Sequence, residues 1–168
     1  MRQTPRLVFA AIFIACLGLN AFAIYYLQEW VGLEPCPMCI LQRVAFFAIA
    51  ALALVGAIWN PRGVALKSLA GLVILCAGLG AAVATRHSYL QHFPPKTETC
   101  GTDLEYMLNT FSLTEAFPKI FAGTGSCSAI TWRFIGITIP EWALVWYVGF
   151  AAVAFWLAFV RDRRVAYA

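Results

Sequence analysis

Charge of either sign is scarce in this chain. Asp, Glu, Lys and Arg make up only 12% of its 168 residues, about half the share of an ordinary soluble domain. A water-soluble fold of this composition would have to bury almost everything, and a chain of this length does not enclose that much volume. The alternation of polar and apolar residues that a porin-type barrel requires is also missing. The net charge of +4 is modest and gives no basic stripe for binding nucleic acid. Within residues 86–141 there is no Walker motif, no H-E-x-x-H and no G-x-S-x-G, so these residues carry no phosphate-binding, zinc-protease or serine-hydrolase signature.

What the chain has instead is apolar length. Hydrophobic residues make up 62%, and the mean hydropathy is +0.77. The 25 aromatic residues (13 Phe, 6 Trp, 6 Tyr) exclude a disordered chain. Four segments are nearly free of charge: Leu7–Leu27, Ile40–Trp59 with Arg43 alone, Val64–Thr85 with Lys67 near its start, and Trp142–Val160. Each matches the roughly 20 helical residues that cross a hydrocarbon core of about 30 Å, and backbone satisfaction makes them helices rather than strands. The expected fold is an all-α membrane protein, a four-helix transmembrane bundle forming a single domain over 1–168, with loops at 28–39 and 86–141.

The loops fix an orientation. The N-terminus, the turn at 60–63 with Lys67, and the C-terminal tail hold seven cations (Arg2, Arg6, Arg62, Lys67, Arg161, Arg163, Arg164) against one anion, Asp162. The two loops on the other side hold four cations against seven anions. The positive-inside rule then puts both termini in the cytoplasm and the loops outside. A cleaved leader ending at Ala21-Phe22-Ala23 is the rival reading. The apolar run before it is longer than the usual leader core, and cleavage would leave the orientation of the other helices unchanged.

Six cysteines occur, at 16, 36, 39, 76, 100 and 127. Cys16 and Cys76 lie within apolar helices and read as small buried hydrophobes. The other four fall in the two outer loops, where an oxidising environment favours disulfides. Structural staples, a metal site and redox exchange compete as explanations. A four-cysteine zinc site usually shows two close pairs, and Cys100 and Cys127 are not close. The pair in Cys36-Pro37-Met38-Cys39 closes too short a loop to gain much as a staple, whereas C-x-x-C commonly lowers a thiol pKa.

The surroundings favour redox exchange. Cys39 sits at the start of a helix, where unpaired amides and the helix dipole stabilise a thiolate. Arg43 follows one turn later on the same face. An arginine inside a membrane segment points to function, with snorkelling to the headgroups as the plain alternative. Pro35 and Pro37 suit a helix start.

The long loop begins with His87 continuing the third helix, which Pro94-Pro95 should end. Thr102-Asp103-Leu104-Glu105 resembles a capping box, so the loop should carry short helices. Phe117, Ile120 and Phe121 form an apolar patch suited to the membrane surface. Gly101 beside Cys100, and Gly123 to Ser126 before Cys127, should leave both sulfurs on mobile backbone.

These residues together resemble the bacterial DsbB family of inner-membrane disulfide-generating proteins. The resemblance rests on Cys36-Pro37-Met38-Cys39-Ile40-Leu41-Gln42-Arg43 at the second helix, on Cys100 and Cys127 in the second loop, and on Ile139-Pro140-Glu141-Trp142 before the fourth. It covers nearly the whole chain, although Met38, Gln42 and the spacing of the second cysteine pair carry little identity. The resemblance implies a thiol:quinone oxidoreductase of the inner membrane. Such an enzyme reoxidises a periplasmic DsbA-type thiol oxidase and passes two electrons to a membrane quinone, ubiquinone or menaquinone, with no metal. It implies redox pairs Cys36–Cys39 and Cys100–Cys127. Cys100 is then the cysteine met by the partner, Cys127 the one that exchanges with Cys36, and Cys39 the thiolate beside the quinone. Arg43 and His87 are implied to lie near the quinone ring. A disulfide-stapled structural or transport protein and a vitamin K epoxide reductase-like enzyme are the alternatives. The second of these commonly carries its C-x-x-C at a later helix.

Overall fold

The computed structural model describes residues 4–94 and 125–160. Helix α1 (Thr4–Ala21) continues into a π-helical segment, Phe22–Trp30. Helix α2 spans Pro37–Trp59 and α3 spans Val64–His92. A single helical turn, α4 (Gly125–Ser128), is followed by two short strands, β1 (Arg133–Phe134) and β2 (Ile137–Thr138). Helix α5 (Ile139–Phe155) then runs on through Trp156–Val160. Four stretches are long and apolar enough to span a bilayer: Pro5–Trp30, Pro37–Trp59, Val64–His92 and Ile139–Phe159. The chain is a four-span helical membrane protein.

The helices outrun the apolar segments that announce them. Helix α2 starts at Pro37, three residues before Ile40, because Cys36 caps it. Helix α3 carries on past Thr85 to His92, through polar residues that still satisfy their backbone bonds in the helix. The antiparallel hairpin is not part of an all-α expectation. Its strands pair Arg133 with Thr138 and Phe134 with Ile137, around Ile135 and Gly136, both at positive φ (55° and 80°). Two central residues at positive φ are what a tight hairpin turn requires. Cys100, the capping-box pattern at Thr102–Glu105 and the apolar patch at 117–121 lie outside the described residues.

Helix α1 packs on α2, α2 on α3, and α3 on α5. Lipid gives apolar surfaces no reason to leave it, so close approach of small residues does much of the work between membrane helices. Gly56 of α2 receives the Phe9 ring, and Gly80 of α3 receives the Tyr147 ring of α5; a Cβ would stand 2.6 Å and 2.5 Å from those rings. Ala70, Ala77 and Ala84 continue the buried stripe of α3 on either side of Gly80. Leucines and isoleucines such as Leu7, Ile14, Ile58 and Leu79 point outward, as a lipid-facing surface demands.

The ends of α1 and α3 and the starts of α2 and α5 meet at one end of the bundle. Glu141 fastens two of them. Its carboxylate accepts the Thr138 amide at 2.7 Å, closing the start of α5, and the Ser88 hydroxyl of α3 at 3.4 Å. The His92 ring lies 3.7 Å from the same carboxylate.

Candidate active site

Cys36 is the N-cap of α2. Its backbone is extended, Pro37 occupies the first helical turn, and its sulfur accepts the Cys39 amide at 3.4 Å. A thiol thus fills the position usually held by a serine or aspartate oxygen. The same geometry brings Cys36 Sγ within 3.0 Å of Cys39 Sγ, so the motif can open and close a disulfide with little movement of the helix.

Cys127 completes the group. It is fully buried in the α4 turn and packs with Cys36, Met38 and Leu90, where its thiol hydrogen-bonds to that of Cys36. Burial in a helical turn replaces the open glycine-flanked backbone expected for this sulfur. Hydrogen bonding with Cys127, then with Cys39, together with burial, holds the Cys36 thiol well above the usual thiol range. Three sulfurs therefore lie in sequence: Cys127, Cys36, Cys39.

Beside Cys39 opens a cavity of about 470 Å³, within the size range of small-ligand sites. Its walls are mainly apolar and rich in aromatic rings, among them Phe22, Tyr26, Phe46, Trp132, Trp142 and Trp146, and its polar wall includes Glu34, Cys39, Gln42 and Arg43. Arg43 reaches across to the first helix. Its guanidinium donates to Gln28 Oε1 at 2.8 Å and to the Ala23 carbonyl at 3.1 Å. Both acceptors belong to the π-helical end of α1, and such widened turns recur at functional sites.

His87 is placed differently from Arg43. It is 2% exposed, and its Nε2 lies 3.6 Å from Cys36 Sγ. It is absent from the cavity wall and meets the cavity through Gln42, whose side-chain nitrogen lies 3.1 Å from His87 Nδ1. Gln42 is itself buried at 4% exposure, and its backbone carbonyl accepts the Tyr147 hydroxyl at 2.7 Å. Sequence reasoning passed over Gln42. The available signal was a polar residue in the buried stripe Gln42, Phe46, Ile49, Ala53 of an apolar helix. Cys16 lies in the helix core and Cys76 is packed against it, away from the cysteine cluster.

The chain has extensive similarity to known proteins. The family model for disulfide bond formation protein DsbB matches residues 5–157. A disulfide bond formation protein B from Azoarcus sp. is 46% identical over 162 residues, covering 96% of this chain and 97% of that one. The protein of the same description from Polaromonas sp. is 45% identical over 149 residues, covering 89% and 88%. That from Xanthomonas euvesicatoria is 42% identical over 164 residues, covering 96% and 95%.

Proposed function

This chain belongs to the DsbB family of membrane proteins for disulfide bond formation, and on that premise we propose that it is a thiol:quinone oxidoreductase of the bacterial inner membrane. Its substrate is a reduced DsbA-type thiol oxidase of the periplasm. Both termini face the cytoplasm and the cysteine end of the bundle faces the periplasm, in keeping with the positive-inside charge balance.

The single observation that carries this reading is the row of sulfurs ending at an aromatic cavity beside a fixed cation. The partner's thiolate attacks Cys100 in a Cys100–Cys127 disulfide and releases Cys127 as a thiolate. The partner's second thiol then resolves the mixed disulfide, leaving Cys100 reduced. Cys127 attacks Cys36 in a Cys36–Cys39 disulfide, the neighbour it already touches, and Cys39 leaves as a thiolate; Cys100 then displaces Cys36 from Cys127, so the Cys100–Cys127 disulfide is restored and the two electrons rest on the Cys36–Cys39 dithiol for the quinone. Exchange of this kind needs an attacking thiolate and a good leaving thiol. The first turn of α2 and the adjacent Arg43 make Cys39 the better leaving group.

The cavity suits a quinone head group: aromatic walls offer flat stacking surfaces, and Arg43 offers donors at one edge. A quinone, when bound, supplies the two-electron acceptor. Arg43 would stabilise negative charge gained by a ring oxygen in a site shielded from water. Its bonds to Gln28 and Ala23 hold it in place for that task. His87, one residue removed from the cavity through Gln42, addresses the Cys36 sulfur during exchange and orders the cavity wall from behind.

The test is oxidation of a reduced DsbA-type protein by the purified chain in detergent. Loss of quinone absorbance should require both the reduced partner and the chain, with one quinone reduced per disulfide made. Failure of quinone to be consumed, with all cysteines intact, would overturn the assignment.

A further inference from the structure

We propose that the dithiol form of this site binds a thiophilic divalent cation of the zinc class through Cys36, Cys39, Cys127 and His87. Nε2 of His87 and the sulfurs of Cys36 and Cys39 all lie within 4.8 Å of one another; Cys127, buried in the same cluster as Cys36, stands outside that trio and moves in to supply the fourth donor. Three sulfurs and one imidazole are a common donor set for tetrahedral zinc. Bonds of about 2.3 Å to sulfur and about 2.0 Å to nitrogen set two sulfur ligands about 3.8 Å apart, and a sulfur and a nitrogen about 3.5 Å apart. The Cys36–His87 separation of 3.6 Å already fits. The Cys36–Cys39 separation of 3.0 Å needs to widen by less than 1 Å.

The surroundings complete the site. Histidine ligands usually have their other ring nitrogen held by a partner, and Gln42 sits on His87 Nδ1 at 3.1 Å. With its amide oxygen turned inward it accepts the Nδ1 proton and leaves Nε2 free for the metal. The Cys39 amide donates to the Cys36 sulfur at 3.4 Å, as suits a thiolate ligand. Three thiolates and one dication leave a single negative charge, which the Arg43 guanidinium beside Cys39 offsets.

Binding releases the three thiol protons and transfers no electrons. It requires Cys36, Cys39 and Cys127 all to be thiols, so the site exists only after reduction. A metal bound there withholds the sulfur pairs from disulfide formation. The binding site rests on the geometry alone; the block on reoxidation rests also on the proposed quinone reaction.

Cobalt(II) is the probe. Added to the reduced full chain in detergent under argon, one equivalent should give the visible bands of a tetrahedral thiolate complex, bleached by zinc. The oxidised chain should give none. Cys127→Ser and His87→Ala should each lose or shift the bands, and the Cys16→Ala/Cys76→Ala double variant should keep them. Zinc should also shield Cys36, Cys39 and Cys127 of the wild-type chain from alkylation, read by mass spectrometry, so the answer does not depend on a variant folding. Equal cobalt spectra for reduced and oxidised chain, or undiminished alkylation with zinc, would overturn the proposal. Added quinone should leave the zinc-loaded cysteines reduced while oxidising those of the metal-free chain. If the metal-free chain is not oxidised either, it is the proposed quinone reaction that fails, and the cobalt spectrum still decides the metal site.

Discussion

Arg43 donates to Gln28 Oε1 at 2.8 Å, binding the second membrane helix to the π-helical end of the first. Its second bond, to the Ala23 carbonyl, leaves the guanidinium little freedom, so the charge on the cavity wall is preorganised.

Arg43→Ala should therefore slow quinone reduction more than any other step. Removing one oriented donor from a developing anion costs about 3–4 kcal/mol in enclosed sites, and an open-sided cavity should lose less, about tenfold to hundredfold. Arg43→Lys keeps the charge without the planar fork and should lose less than Ala. Thiol exchange with the partner, measured stoichiometrically without quinone, should stay nearly intact. Unchanged quinone reduction in Arg43→Ala would move the quinone away from this cavity.

Gln42→Ala should impair the exchange step. Whichever amide atom faces the ring, its bond to Nδ1 fixes the tautomer of His87 and hence what Nε2 presents to Cys36. Losing one buried hydrogen bond is worth about 1–1.5 kcal/mol, so transfer from Cys127 to Cys36 should slow about tenfold in a single-turnover quench. His87→Ala should slow the same step, and the double variant should be no worse than His87→Ala. Additive losses would mean that Gln42 does not act through His87.

The four spans, the C-x-x-C and Arg43 were legible because each is a local signal: uninterrupted apolar length, a short spacing, a lone charge in lipid. The helix ends were less so. Counting apolar residues stops at Arg86, but α3 keeps its backbone bonds through Ser88 and Gln91 to His92. What His87 touches depends on how α3 packs against α2, and no spacing within α3 encodes that. The burial of Cys127 was hidden for the same reason: glycines before it suggested an open loop, while contacts with Met38 and Leu90 decide its place.

Cys16 and Cys76 should be dispensable for chemistry. Cys16 is fully buried among the helices, so Cys16→Ala should cost stability, about 1 kcal/mol for a small deletion in a packed core. Turnover of the Cys16→Ala/Cys76→Ala double variant should remain within a few-fold of wild type. A loss as deep as that of Cys100→Ser would place one of them in the electron path.

Gly80→Ala should loosen the bundle beneath the site. The new methyl would stand 2.5 Å from the Tyr147 ring, and that ring has little room to retreat. It is stacked on Phe46 with centroids 4.3 Å apart, and its hydroxyl is tied to the Gln42 carbonyl. Overpacking a well-filled interior typically costs about 1–3 kcal/mol. Because Phe46 and Gln42 also line the cavity, turnover should fall along with thermal stability in detergent. Gly78→Ala is the matched control, since a Cβ there meets nothing within 4 Å and alanine favours helix by about 1 kcal/mol over glycine. It should leave turnover unchanged and the melting temperature equal or higher. If the two substitutions behave alike, close contact between α3 and Tyr147 does not hold the cavity wall in place.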